Sequence, residues 1–237
     1  MDILSSLLVV AFAGLIHASF QLSTSVLTTL GGHAFSARKS HARIVGLTSS
    51  FVFGAGLMTV LLVSCAAFVI ASAFGTTIPL YAWSIASGVL FGVGVAVWLF
   101  YYRKGEGTRL WIPRSLALYL SDRTKVTKIS GEAFGLGLVS VLSEIIFIVG
   151  PIVIGALVLV QLPAQWQLLG VLIYTVISLL SLIIVWALIG SGHTLTGVQK
   201  WREQNKGFLQ FAAGSGLLVL GFFIFVQEVV TASVGGI

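Results

Sequence analysis

Residues 140–151 read SVLSEIIFIVGP, which sets a carboxyl and a helix breaker seven residues apart in apolar surroundings. Pro151 has no backbone N–H and displaces the carbonyl four residues back, that of Phe147. Glu144 pays at least about 2.5 kcal/mol if it lies at mid-depth in a bilayer. The solvent around this stretch therefore decides the fold.

Composition answers that question. Of the 237 residues, 57% are hydrophobic and 8% charged, with mean hydropathy +1.07. Soluble domains carry about 25% charged residues. So few charges do not cover a water-facing surface, and an integral membrane protein is expected. A helix needs about 20 apolar residues to cross the hydrocarbon core. Six stretches qualify: Ile3–Leu30, Ile44–Ala73, Tyr81–Tyr102, Ala133–Val160, Gln167–Gly190 and Phe208–Val229. They lack the strict alternation of barrel strands, and lipid favours helices that satisfy their own backbone. The fold expected is all-α, with residues 1–237 as one transmembrane domain. The first span has no Lys or Arg before it and is long for a cleaved leader, so it is expected to remain as helix one.

All thirteen Lys and Arg lie in three loops. The first holds Arg38, Lys39 and Arg43. The second runs from Arg103 to Lys128, and the third holds Lys200, Arg202 and Lys206. Positive loops stay cytoplasmic. Both termini are therefore expected outside a plasma (inner) membrane, with loops one, three and five inside. The net charge of +6 is topogenic on this reading, and no nucleic-acid partner is expected. Trp83 and Trp166 open spans at the outer interface, while Trp98, Tyr101, Tyr102 and Trp201 mark the inner one. Pro113 suits the first turn of a short interfacial helix in the central loop. The single cysteine, Cys65, excludes an internal disulfide or a CxxC pair and is expected in a helix interface.

The two ends of the chain echo each other. At an offset of 123 residues Gly14 meets Gly137, Leu15 meets Leu138, Ile16 meets Val139, Gln21 meets Glu144 and Gly32 meets Gly155. "IVGL" from Ile44 resembles "LLGV" from Leu168, and "SGVL" from Ser87 resembles "SGLL" from Ser215. Three spans per half give the halves opposite orientations: a 3+3 inverted repeat, with repeat one at about 1–102, the cytoplasmic loop at about 103–132 and repeat two at about 133–237. Transporters with this plan bind solute near the midplane, at broken helices.

Candidate site residues follow from that plan. Glu144 is the one acid of seven placed clearly at mid-depth. His17, Gln21, Thr24 or Ser25, and Thr28 recur at steps of three or four, which predicts one polar helix face. Ser140 precedes Glu144 by one turn. Gly150–Pro151 and Gly31–Gly32 are the expected breaks, offering carbonyls and a hinge. His17 and Glu144 are the side chains available to a metal, which is not assigned. His33, His41 and His193 lie near the inner surface without close metal-ligand spacing.

The segments "AFAGLIHASFQLSTS" and "AFGLGLVSVLSEIIFIVGPIVIGA" resemble the lysine-exporter superfamily, with its amino-acid exporters, divalent-metal exporters and cytochrome-c-biogenesis type thiol carriers. The resemblance implies the six-helix plan and small-solute transport. The thiol carriers place a cysteine before a proline in each break, and this chain does not. The metal exporters follow the first His with an acid and a second His. Here Gln21 and Ser25 are uncharged.

The function expected is a secondary transporter, an exporter of a small cationic or zwitterionic solute such as an amino acid or metal ion, with Glu144 as central carboxyl. Its partners are the bilayer and the solute, it needs no cofactor, and self-association into a homo-oligomer is compatible with the chain. The alternative is a non-transporting scaffold or assembly factor that binds a partner through its helices and Trp111–Lys128. No enzyme is expected, since HExxH, GxSxG and paired mid-membrane acids are lacking. No Lys lies within a span to form a retinal Schiff base. The topology makes a direct prediction: reporters fused after Val229 will be active only if they work outside the cytoplasm, whereas reporters inserted near Arg109 will be active only inside. Activity on the same side at both points refutes the six-span topology.

Overall fold

The computed structural model describes residues 1–20, 22–36, 40–100, 114–191 and 196–234. Gln21, Trp111, Pro113 and His193 lie outside the described residues, as do Arg38, Lys39, Tyr101, Tyr102 and the part of the central loop from Arg103 to Leu110. The side chain of His33 lies outside them as well. The described residues form helices and no strand.

Three helices are long and apolar enough to cross a membrane alone: α3 (His41–Phe74), α4 (Leu80–Phe100) and α11 (Lys206–Ile224) with its π-helical continuation Phe225–Val230. Three further helix pairs are long and apolar enough only when taken together, and each is bent at a short break. Helices α1 (Ile3–Ser19) and α2 (Leu22–Ser36) meet at 51°, α6 (Ser130–Ser143) and α7 (Ile145–Gln161) at 81°, and α8 (Ala164–Ser178) and α9 (Leu180–Gly190) at 56°. Taking each pair as one span gives up to six, in the order of the six apolar stretches. The helices mark a membrane protein by length and composition. Exposed Phe53, Phe68, Leu99, Leu168 and Phe222 form the surface such a protein turns to lipid.

Local chemistry explains the ends. Asp2 caps α1 by accepting the Ser5 N–H at 3.2 Å, and hydrogen bonds from Ser5 hold its carboxyl below the ordinary range. Helix α3 stops at Gly75, whose φ of +66° suits a residue without Cβ. Pro79 and Pro163 stand just before α4 and α8, positions where a missing N–H costs nothing. The expected short helix of the central loop is present as α5 (Arg114–Val126), which packs on α2 and α6 with Leu120 and Thr124 buried. A second loop helix, α10 (Thr196–Gln204), precedes α11. Arg43 at the start of α3 donates to the Lys128 carbonyl at 3.1 Å, tying two of the basic loops together.

The core gathers around α7, which is buried along most of its length and packs on α1, α3, α4 and α8. Helix α1 lies against α8, and α6 lies against α3. Glycines set both crossings. A Cβ on Gly14 would stand 2.8 Å from the Tyr174 carbonyl oxygen, and one on Gly137 would collide with the Phe51 carbonyl. Gly54 meets the Phe134 carbonyl on the same α3–α6 seam. Helix α4 lies against α11, with Gly214 under Trp98 and Gly221 beside Leu90 and Phe91. Small residues let apolar helices approach closely, which supplies association where lipid gives no hydrophobic drive.

Three expectations are corrected. The break of the fourth span falls at Glu144, not at Gly150–Pro151, which lie buried inside continuous α7. The first span bends between Ser19 and Leu22, not at Gly31–Gly32, and α2 runs through both glycines to Ser36. Cys65 is exposed rather than packed in an interface. A proline removes one hydrogen bond from a helix, and neighbouring turns absorb the loss when tightly packed helices hold the rod together.

Gly137→Ala is expected to cost about 1–3 kcal/mol, the range for overpacking a filled interface. Gly92→Ala, where nothing lies within 4 Å, should leave stability unchanged or raise it slightly. Thermal unfolding of the two variants in detergent checks the contrast, and equal melting temperatures would remove Gly137 as a determinant of the seam.

Candidate functional site

The site begins with a backbone torsion. Glu144 has φ −91° and ψ −3°, outside regular helix, and this single residue separates α6 from α7. Its N–H still reaches the Val141 carbonyl at 3.0 Å, and its own carbonyl accepts from Phe147 at 2.8 Å. The chain thus turns without losing its hydrogen bonds at this residue. Leu179 repeats the device between α8 and α9 with φ −89° and ψ 0°. Neither turn uses glycine or proline.

A broken span creates new helix ends, and each N-terminus has N–H groups without intrahelical acceptors. The start of α2 is such an end. Glu144 is 3% exposed, and its Oε1 accepts the Ser23 N–H at 2.7 Å. The carboxyl at one break therefore caps the helix that leaves the other. A carboxylate there also meets the positive end of the helix dipole.

The next two residues of α2 are engaged as well. Thr24 donates its hydroxyl to Ser181 Oγ at 3.2 Å, just past the Leu179 turn. Ser25 Oγ accepts from Arg202 Nη2 at 2.8 Å. Arg202 comes from α10, is 8% exposed, and acts electrostatically on Glu144. Three consecutive residues of α2 thus hold a carboxyl, a hydroxyl and a guanidinium from three different elements. Over the break, Phe20 stacks on Phe147 with ring centroids 5.6 Å apart and planes at 19°.

His17 belongs to a second cluster. It is buried in α1, with Nδ1 3.2 Å from the Tyr174 hydroxyl on α8. The Tyr174 ring lies against Gly155 and its backbone against Gly14. The expected single polar face from His17 to Thr28 is corrected, because the bend divides it: His17 stays on α1, while Thr24, Ser25 and Thr28 follow α2. Thr28 turns its hydroxyl back to the Ser25 carbonyl at 2.8 Å. Ser140 is buried and bonds the Gly137 carbonyl at 2.8 Å, within α6. Of the expected site residues, Glu144, Thr24 and Ser25 converge on the first turn of α2. His17 and Ser140 take other partners, and Gln21 lies outside the described residues.

As a metal centre the arrangement has little to offer. Among the described residues no three of His, Cys, Asp and Glu come together, and His17 and Glu144 engage different helices. As a site for an organic cation or a proton it is better equipped, with a buried carboxyl among hydroxyls at a helix break.

Sequence reasoning missed Arg202, Tyr174 and Ser181. Arg202 reads as one more topogenic charge, and nothing in the pattern separates it from Lys200 or Lys206. Tyr174 carried a signal, since a tyrosine far from either end of an apolar span lacks the interfacial explanation. No family model, curated protein or solved structure matches this chain.

Glu144→Ala leaves the start of α2 without its cap, and the expected loss is about 1–3 kcal/mol for a buried donor stripped of its acceptor. Glu144→Gln keeps an amide oxygen for Ser23 and should lose clearly less. Unfolding of both variants in lipid nanodiscs tests the order, and equal losses would show that the cap does not hold α2.

Proposed function

We propose that the protein is a secondary transporter of a small cationic or zwitterionic solute, working as an exporter, with Glu144 as the central carboxyl. One observation carries the reading: Glu144 is buried where the break of one span meets the first turn of the helix leaving another. Discontinuous helices at mid-membrane are where such transporters bind their cargo. A carboxyl that serves only as a cap is replaceable by serine or threonine hydroxyls, in which this region is rich. An acid at that depth costs more, and exchange of a proton or a cation gives it a use.

The 3+3 inverted repeat belongs to this proposal, and the glycine contacts support it. Gly14 and Gly137 are 123 residues apart, and so are Phe51 and Tyr174. Gly14 rests on the Tyr174 carbonyl while Gly137 rests on the Phe51 carbonyl. The same spacing relates Phe91 to Gly214 and Trp98 to Gly221, and Gly214 touches Trp98 while Gly221 touches Phe91. Exchanging the halves converts each contact into its partner. In this reading α1–α2 pairs with α6–α7, α3 with α8–α9, and α4 with α11. The termini face outward from an inner membrane and the basic loops lie in the cytoplasm. The lysine-exporter superfamily is the proposed wider kinship.

Counterflow in proteoliposomes, run over amino acids and divalent metals, tests the function. The expected result is uptake of an amine-bearing solute that falls by about tenfold or more in Glu144→Gln, the scale of one charge-assisted interaction. Flux and pH dependence unchanged by Glu144→Gln would end the proposed mechanism.

A further inference from the structure

Arg202 is out of keeping with its own helix. Around it on α10, Lys200, Trp201, Glu203 and Gln204 are exposed, whereas Arg202 is buried. Helix α10 packs on α11, and Arg202 reaches from there across to α2. A guanidinium taken out of water needs hydrogen bonds and a counter-charge to offset its desolvation. It finds the Ser25 hydroxyl and the field of Glu144. Ser25 lies in the first turn of α2 and Glu144 caps that turn, the place to which the transport reading assigns the solute.

We propose that Arg202 is a tethered cation that closes the Glu144 site on the side of the basic loops, holding the place that a solute's cationic group takes. The inference rests on the transport reading and adds the closing element. A guanidinium and a primary ammonium make the same demands there: a hydroxyl acceptor and a carboxylate within electrostatic reach. The solute then competes with a side chain already in position. Withdrawal of α10 uncovers Ser25 and returns the guanidinium to water, where hydration replaces the contacts it gave up. The competing cation also favours solutes with an organic cationic group over bare metal ions, since a guanidinium held on the turn that the carboxyl caps repels a divalent ion.

Thiol accessibility tests this without any solute. Exposed Cys65 is replaced by Ala, and Ser23→Cys places one thiol beside Glu144 while leaving the Ser23 backbone N–H in place. Membrane-impermeant trimethylammonium-ethyl and sulfonato-ethyl methanethiosulfonates are then applied from each side of sealed vesicles. With Arg202 intact the thiol should react slowly. Arg202→Gln should speed reaction from the side of the basic loops by about tenfold or more, the scale of a charge-assisted hydrogen bond. Arg202→Lys should stay slow, because a cation remains in reach. In Arg202→Gln the cationic reagent should outpace the anionic one, and adding Glu144→Gln should erase that preference. Ser25→Ala removes only the hydroxyl that Arg202 holds, and should give a smaller acceleration in the same direction. It decides the matter if Arg202→Gln does not fold. Equal rates with and without these substitutions overturn the inference, as does an acceleration confined to the opposite side. Such failure leaves the transport reading standing, since that depends on solute flux through Glu144. Loss of the transport reading would show instead as unchanged flux in Glu144→Gln.

Discussion

The hydrogen bond from the Ser23 N–H to the Glu144 carboxyl is the contact on which the interior depends. Breaking a span inside a membrane is costly because the freed backbone groups have no water to turn to. Here two breaks answer each other. The end that lacks an acceptor receives a carboxyl from the residue that makes the other turn. One residue therefore makes the bend between α6 and α7 with its backbone and supports the bend between α1 and α2 with its side chain. The Phe20–Phe147 stack covers the same junction with apolar surface and keeps its electrostatics strong.

Around this junction the polar groups divide into two kinds. Thr48, Thr59, Thr124, Ser140 and Thr175 return their hydroxyls to their own helices, which satisfies them locally and leaves the packing free. Glu144, Thr24, Arg202 and His17 reach between elements. The second kind ties the position of one helix to another. It gathers near the bends, while α4 and α11 meet through glycine and aromatic contacts together with Gln210 and Trp98, which donate to backbone carbonyls across the pair.

Much of this was legible in the chain. Apolar length located three spanning helices and three bent apolar pairs, because lipid imposes a length rule that composition obeys directly. Glu144 stood out since an acid in an apolar window has few bland explanations. The breaks are hard to place from residue type, because Pro151 and Gly31–Gly32, the usual signs of helix interruption, lie inside helices here. A turn made by a ψ near zero at glutamate or leucine leaves no mark in residue type. The buried state of Arg202 was equally hidden, as it depends on where α10 docks and not on the charge of its neighbours. Residue habit puts Cys65 in an interface, but the outer side of a span accepts a small apolar side chain as readily as an interface does.

The glycine crossings have a mechanical meaning. At Gly14 on Tyr174 and at Gly137 on Phe51, one backbone rests directly on a carbonyl of another, with no side chain between to act as a cushion. Backbones in such contact do not slide, since any axial shift drives a neighbouring Cβ into the same carbonyl. The two crossings therefore set the axial register of α1 on α8 and of α6 on α3, and any residue larger than glycine at either point would hold the two helices apart.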